Sequence, residues 1–231
     1  MINNVNLKPY ERTYIFVAMQ EISVSVPKPD GRRVRGDRTR QAVLNQAVRI
    51  AAMEGLEGLT FGRVALSAGV PKSTLQVLFR DREALQIQTL SAGADAFAAC
   101  IRERLPSGIG TFDHLKALCE AWFDLVGDGA VPGGCLVTAA TAEYRARPGT
   151  IQKLVAEHRD RWRVALLSAA QAAQRDGTLR ADLDPDQLVF EILAFQGAAN
   201  LNAGQAAAAD VSRARLSVAA LLERARSTGE G

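Results

Sequence analysis

The chain has 231 residues, of which 48% are hydrophobic, 23% charged and 6% aromatic. This balance is typical of a globular protein with a sizeable core, and it excludes a disordered or fibrous chain. The formal net charge of +3 is too small to indicate a function. Residues 31–85, however, carry ten Lys or Arg against five Asp or Glu, so positive charge is concentrated in this segment. We therefore expect any polyanion-binding surface there.

Residues 1–30 are the least informative part of the chain. The apolar run 14–19 is too short to span a membrane, and no small-residue cleavage site follows it, so a signal peptide is not expected. The segment is interpreted as a short strand, a disordered arm or sequence upstream of the true start, and we favour disorder. The following Arg32, Arg33, Arg35 and Arg38 form either a solvated linker or an arm that contacts phosphates or the minor groove.

Residues 39–54 predict a first helix with an apolar stripe that includes Val43 and Ile50, ended by Gly55. Residues 61–80 then predict two short helices joined by a tight turn. Phe61, Val64, Ala65 and Ala68 give the first of them one apolar face, and Thr60 is its expected cap.

The turn between these two helices has a clear residue signature. Gly69 is suited to a left-handed cap, and Pro71 is suited to the first turn of the next helix. Small Ala65, four residues before Gly69, allows the close crossing that a helix-turn-helix requires.

The second helix of this pair has two distinct sides. Leu75, Leu78 and Phe79 are expected to point into the core. The opposite side carries a cation, a hydroxyl, an amide and a small apolar group, which are the groups that read base edges in a major groove: Lys72, Ser73, Gln76 and Val77. The alternative is an ordinary helical hairpin without contact to DNA.

The flanking sequence carries a family resemblance. Thr39-Arg40-Gln41-Ala42-Val43-Leu44, Glu54-Gly55-Leu56 and Leu59-Thr60 lead into the motif, and Arg82-Glu83-Ala84-Leu85 follows it. The run from about residue 38 to 90 resembles the N-terminal DNA-binding domain of the TetR family of regulators. It departs from the common pattern at Gln76 and Leu78, where family members often have Tyr and His.

The resemblance implies an all-α fold, in which a three-helix helix-turn-helix domain precedes a helical-bundle effector and dimerisation domain. We divide the chain into a tail and basic arm (1–34), a DNA-binding domain (35–85) and an effector-binding and dimerisation domain (86–231). The residues expected to contact DNA are Arg35, Arg38, Thr60, Lys72, Ser73, Thr74, Gln76, Val77 and Arg82.

Apolar periodicity predicts helices throughout the second half, over about 82–104, 112–126, 135–144, 150–173, 185–203 and 210–226. No strand-type alternation interrupts them. The body also contains aromatic and polar residues that are either simple core or the lining of an effector cavity. That set comprises Phe97, Trp122, Phe123, Cys135, Glu143, His158 and Trp162.

The last two helices are the expected dimer interface, because in the resembling family such helices form a four-helix bundle with their symmetry mates. The small run 197–199 would permit close approach of two backbones. The alternative is that these residues pack against the chain's own body. The residues assigned to the interface are Leu188, Ile192, Phe195, Ala199 and Ala203.

No catalytic or metal-binding constellation is recognisable, since His114 and His158 stand outside any motif and the three cysteines lack metal or disulfide spacing. We expect no enzyme activity, cofactor, metal or membrane association. The sequence predicts a cytoplasmic, homodimeric transcriptional regulator, a repressor that binds a palindromic double-stranded DNA operator and is released by a small apolar or aromatic effector. Two alternatives remain: an all-α ligand-binding or protein-interaction module without DNA binding, and a regulator that senses redox state through Cys135.

Overall fold

A computed structural model describes residues 31–127, 131, 133–201, 203 and 207–227. For residues 31–34 and 207 it describes the backbone alone. The expectations for residues 1–30 therefore lie outside the described residues, as does Pro132. Within these ranges the chain forms nine α-helices, and its only bridge-type pairing joins Leu179 to Arg226. The all-α fold is confirmed.

The helices follow one another with short connections. Their bounds are α1 Gly31–Glu54, α2 Phe61–Ala68, α3 Lys72–Leu78, α4 Arg82–Arg104, α5 Thr111–Gly127, α6 Leu136–Glu143, α7 Thr150–Arg175, α8 Pro185–Leu201 and α9 Ala207–Ala225. A 3₁₀ turn, Leu56–Gly58, connects α1 to α2. We call residues 31–81 the head and the residues from 82 onward the body.

The first helix is longer than the sequence predicted. We expected it to begin near Thr39, but α1 begins at Gly31 and takes in the basic segment. The Thr39 hydroxyl donates to the carbonyl oxygen of Arg35 over 2.9 Å, and arginine is a good helix former. The single Gly36 costs only about 1 kcal/mol in such a helix, which is too little to end it.

The helix-turn-helix has the predicted caps and core. The Thr60 hydroxyl accepts from the Arg63 N–H at 3.2 Å and caps α2, and Gly69 ends that helix with φ of 64°. Leu75 and Phe79 are fully buried. Pro71 directly precedes α3, so the helix starts one residue later than expected.

The head's core continues into the body. The apolar cluster that contains Val64, Leu75 and Phe79 also contains a set of side chains from α6, its C-terminal end and the first two turns of α7. Those body residues are Leu136, Ala140, Tyr144, Ile151 and Val155. The short helix α6 is therefore packed against the head as well as against its own body.

A second cluster forms the core of the body. It is built from α5, α7, α8 and α9 around Trp122, Phe123 and Leu166, and each of these three side chains is at most 2% exposed. The edge of Trp122 faces Phe123, with ring centroids 5.2 Å apart at an angle of 87°, a favourable aromatic arrangement. This core fixes one wall of the cavity described below.

Candidate DNA-binding face and ligand cavity

The helix α3 presents a continuous exposed face made of Lys72, Ser73, Gln76 and Val77, which we call the reading face. Val77 is 86% exposed although it is apolar, and Thr74 at the edge of this face is half-buried. Buried Leu75 and Phe79 fix the rotation of the helix, so the orientation of the reading face follows from the packing of the head. The predicted division of this helix into two sides is confirmed.

The other predicted DNA contacts lie in different settings. Arg35 and Arg38 are exposed on the first turns of α1, and Thr60 is exposed at the N-terminus of α2. Arg82 is corrected, because its guanidinium is used within the protein. Its Nε donates to the Leu59 carbonyl over 2.8 Å, and one Nη donates to the backbone and side-chain oxygens of Glu57. Arg82 therefore joins α4 to the head rather than presenting a free cation.

Glu143 lies at the junction of head and body. Its carboxylate accepts from the backbone N–H of Leu56 at 2.9 Å and from that of Glu57 at 2.8 Å. The close approach requires Gly55, because a Cβ there would lie 2.7 Å from Glu143 Oε1 and the backbone φ is 79°. Glu143, predicted as an effector contact, is thus corrected: it bonds the end of α6 to the head.

Glu57 adds side-chain bonds to the same junction. Its carboxylate accepts from the Tyr144 hydroxyl at 2.5 Å and lies 3.4 Å from the Arg147 guanidinium. The Tyr144 hydrogen bond, followed by the charges of Arg82 and Arg147, lowers the pKa of Glu57 against the opposing effect of burial. The head and body are therefore joined by a connected polar network around the 3₁₀ turn.

A cavity of about 820 Å³ lies between α4, α5, α6, α7 and α8. Its walls are mainly apolar and aromatic, which is typical of a small-molecule site. Five of the seven predicted effector residues line it, namely Phe97, Trp122, Cys135, His158 and Trp162. The structure thus places together residues that are up to 65 positions apart in the sequence.

The prediction that Phe123 lines the cavity is wrong. Phe123 is fully buried and does not border the cavity, because it follows Trp122 on α5 and is directed to another side of the helix. Its ring lies instead under the Arg215 guanidinium, 5.9 Å from the ring centroid. Successive residues of a helix point about 100° apart, so Trp122 and Phe123 face different sides of α5.

Cys135 lines the cavity but lacks the properties of a redox sensor. It is 7% exposed, and burial raises the pKa of its thiol. A protonated thiol is a poor nucleophile, which counts against the alternative of redox sensing through Cys135. Its backbone is fixed by Asn200, whose Oδ1 accepts from the Cys135 N–H at 2.7 Å.

Two polar residues of this region were missed by sequence analysis. Gln196 and Asn200 are buried on α8, at 2% and 6% exposure. Gln196 lines the cavity, and its Oε1 accepts from the Trp162 indole N–H at 2.9 Å. An amide within the otherwise apolar run 192–199 was the available signal, because buried amides require partners.

The predicted dimer residues are also corrected. Leu188, Ile192 and Ala199 are at most 2% exposed within a single chain, and Phe195 and Ala203 pack against the same core. A second copy cannot reach the first three. The exposed side of α8 is instead formed by Phe190, Ala194, Ala198 and Leu201, which follow one another at helical spacing.

Two further observations concern the described residues. None of the described helices combines the length and apolarity that a bilayer crossing requires. Among the described residues, no three His, Cys, Asp or Glu side chains gather in a group that could hold a metal ion.

Comparison with known proteins agrees with this architecture. Residues 111–217 match the family model described as tetracyclin repressor-like, C-terminal domain. No curated protein matches the sequence. A TetR transcriptional regulator from Chloroflexus aurantiacus J-10-FL has a similar structure, with a TM-score of 0.76 and 20% identity over 84% of this chain and 98% of that one.

Two other solved structures show the same fold. A TetR-family regulator from Cytophaga hutchinsonii has a TM-score of 0.73 and 17% identity, over 90% of this chain and 98% of that one. A transcriptional regulator from Saccharomonospora viridis, solved in complex with choline, has a TM-score of 0.68 and 17% identity, over 82% and 98%. Residues 111–217 thus resemble a tetracyclin repressor-like C-terminal domain, and the described chain has the fold of these solved TetR-type regulators.

Proposed function

We propose that this protein is a transcriptional regulator of the TetR family, a repressor that binds a palindromic operator as a homodimer and is released by a small apolar or aromatic effector. The observation that carries the DNA-binding part is the reading face of α3. It projects a cation, a hydroxyl, an amide and an apolar group from a helix whose other side is locked into the core. These groups suit the donors, acceptors and methyl groups of a major groove.

Each residue of the reading face has a proposed role. Gln76 pairs with adenine through its amide, and Val77 contacts a thymine methyl group. Lys72 and Ser73 contact base edges or the adjacent phosphates, and Thr74 binds a phosphate. Thr60 adds a phosphate contact from the N-terminus of α2, where free N–H groups favour an anion.

Arg35 and Arg38 supply the sequence-independent part of the affinity. Both are exposed on the first turns of α1, close in sequence to the basic residues Arg32 and Arg33. Cations on a helix that leads into the head are suited to contact the phosphate backbone, where each contact releases counterions.

The exposed face of α8 supports the homodimer. Phe190 is 66% exposed and Leu201 is 79% exposed, and Ala194 and Ala198 lie between them. On α9, which packs on α8, Leu216 is 69% exposed. We assign the two-fold interface to this face, because two copies of a self-complementary apolar surface bury each other.

The helix α6 is the proposed connection between effector and DNA. Val137, Thr138 and Thr141 line the cavity, while Glu143 at the end of the same helix holds the 3₁₀ turn of the head. A ligand that binds more tightly to one position of α6 shifts the equilibrium between head orientations, and the shift is set by its difference in affinity for the two positions. In the dimer this changes the distance between two reading faces, which must match successive major grooves about 34 Å apart.

The cavity favours an uncharged or acidic molecule over a cation. Aromatic walls like those of Phe97, Trp122 and Trp162 can hold a quaternary ammonium, such as the choline bound by the similar structure from Saccharomonospora viridis. Here, however, the residues around the cavity include Arg102, Arg145, Arg159 and Arg161 against a single carboxylate, Asp95. This charge balance disfavours a cation.

A reporter experiment tests the repressor. Genomic fragments selected by the purified protein are placed between a promoter and a reporter gene, and expression is measured in a bacterial cytoplasm with and without the regulator. We expect expression to fall when the regulator is present, and to stay high with a variant that carries Lys72→Ala and Gln76→Ala. Increased expression in the presence of the regulator would instead identify an activator.

A further inference from the structure

Two residues that line the cavity each carry a buried polar atom that lacks a hydrogen-bond partner within the described residues. These atoms are His158 Nε2 and Gln196 Nε2, and the only other such side-chain atom is Thr89 Oγ1, which lies outside the cavity. His158 and Gln196 are 8% and 2% exposed, so bulk water does not satisfy them. A buried polar group without a partner costs about 1–3 kcal/mol, which a suitable ligand atom would recover.

The hydrogen bond to Trp162 fixes the orientation of the Gln196 amide. An indole N–H only donates, and it lies 2.9 Å from the oxygen of the amide. The acceptor atom of Gln196 is therefore occupied. What remains unpartnered is its NH₂ group, which is a donor.

The neighbour of His158 fixes its tautomer in the same way. A guanidinium nitrogen of Arg161 lies 3.4 Å from His158 Nδ1, and a guanidinium only donates. Nδ1 is therefore the acceptor, and Nε2 carries the proton. Burial, followed by the charge of Arg161, lowers the pKa of His158, so the ring is neutral near pH 7. Asp95, the carboxylate that borders the cavity, is exposed and makes no described hydrogen bond to either donor.

We propose that the effector is an apolar molecule with an uncharged carbonyl oxygen that accepts hydrogen bonds from His158 Nε2 and Gln196 Nε2. This inference rests on the proposed function of the cavity and specifies its ligand class. Both donors are neutral, and the four arginines around the cavity are exposed to water. A carboxylate would lose more solvation than a ketone or ester on entering, so the neutral oxygen is preferred.

Three probes of nearly identical shape test this inference: 4-butylacetophenone, its alkene counterpart 4-butyl-α-methylstyrene, and 4-butylbenzoate. Binding to the full chain is followed by fluorescence of its 2 tryptophans, Trp122 and Trp162, which both border the cavity. We expect the ketone to bind roughly tenfold or more tightly than the alkene, because the alkene leaves both donors unpaired. The benzoate should bind more weakly than the ketone.

Matched variants assign the preference to the two donors. Gln196→Met and His158→Leu each remove a donor at similar volume, so the ratio of ketone to alkene affinity should fall several-fold in each. Thr89→Val is the control, since it removes the third unpartnered polar atom at a site away from the cavity. It should keep the wild-type ratio. Circular dichroism shows whether each variant is folded. If a variant does not fold, the comparison of the three probes in the wild-type protein still tests the ligand class.

The outcomes separate the inference from the function on which it rests. Equal affinity for ketone and alkene, tighter binding of the benzoate, or no binding of any probe overturns the ligand class. DNA binding by the same ligand-free preparation is measured in parallel. If the preparation does not bind DNA, the proposed function fails, whichever probe binds.

Discussion

The helices α3 and α8 differ in how much of their environment can be seen in their sequences. On α3, polar residues alternate with Leu75 and Phe79 at helical spacing, so one side is evidently exposed and the other buried. On α8, apolar residues cover nearly the whole circumference, and both Ile192 and Phe190 look suited to a core. Only the fold shows that Ile192 is fully buried while Phe190 is 66% exposed. A helix reveals its orientation only when one of its sides is polar.

The largest expected effect concerns two adjacent alanines of α8. Ala199 is fully buried and Ala198 is exposed. Ala199→Arg should lower the free energy of unfolding by several kcal/mol, because it forces an unpaired charge into the core. Ala198→Arg should convert the dimer to a monomer and lower the thermal midpoint less than Ala199→Arg, because only the stabilisation by association is lost. Thermal unfolding and sedimentation measure the two effects, and an intact Ala198→Arg dimer would remove this face from the interface.

The next effect concerns the junction between the two regions. Glu143→Ala leaves the N–H groups of Leu56 and Glu57 without their acceptor, which should cost about 2 kcal/mol of stability. It should also weaken the influence of effector on DNA affinity while effector binding persists. Calorimetric unfolding measures the stability. Titration of fluorescent DNA with and without effector measures the coupling. Glu120→Ala is a suitable control, because this glutamate of α5 pairs with Arg215 of α9 and has no described bond to the head. Equal coupling in both variants would contradict the role of Glu143.

On α3, Gln76→Ala should reduce discrimination at one base pair per half-site by roughly 1–3 kcal/mol. The side chain is exposed, so the thermal midpoint should not change. Binding to a library of operator variants measures the selectivity. If the preferred bases are the same in the variant, Gln76 does not read DNA.

A smaller effect is expected for Arg38→Ala at the start of α1. Removal of one phosphate contact should reduce the slope of log affinity against log salt by about 0.9 and weaken all sequences equally. Fluorescence anisotropy at several salt concentrations measures the slope. An unchanged slope would make the basic first turns of α1 only a structural extension of the helix.

The smallest effect is a dependence of stability on pH. Because the folded-state pKa of Glu57 is lowered, the protein gains stability above the unfolded-state pKa of about 4.3. That gain should be lost as the pH falls through the lowered, folded-state value. Glu57→Gln should flatten this part of the curve, which unfolding at a series of acidic pH values would show. A curve that stays parallel to the wild type would contradict the assignment.

Sequence reasoning was most successful where chemistry is local. The caps at Thr60 and Gly69 follow from single residues and their neighbours, and both are present in the structure. The reading face follows from the same local pattern. The predicted start of α1 is too late, because a basic segment with one glycine favours a linker or a phosphate-contacting arm over a helix.

The cavity could be predicted only in part, because its residues come from five helices. The aromatic residues at 97, 122 and 162 are recognisable as candidates in any apolar helix. Whether Phe123 shares their wall, and whether Glu143 points into the cavity or to the head, depends on helix rotations that periodicity does not fix. Gln196 was missed because its role depends on Trp162, 34 residues away in the chain.

The most direct test of the account is a footprint of the purified protein on a genomic fragment that it selects. The account predicts two protected half-sites related by two-fold symmetry, with centres about 34 Å or a multiple of that distance apart, and binding that weakens steeply with salt. The footprint of Ala198→Arg should be lost or reduced to a single half-site at high concentration. Protection of one unsymmetrical site by the wild-type protein, or binding that is insensitive to salt, would contradict the account.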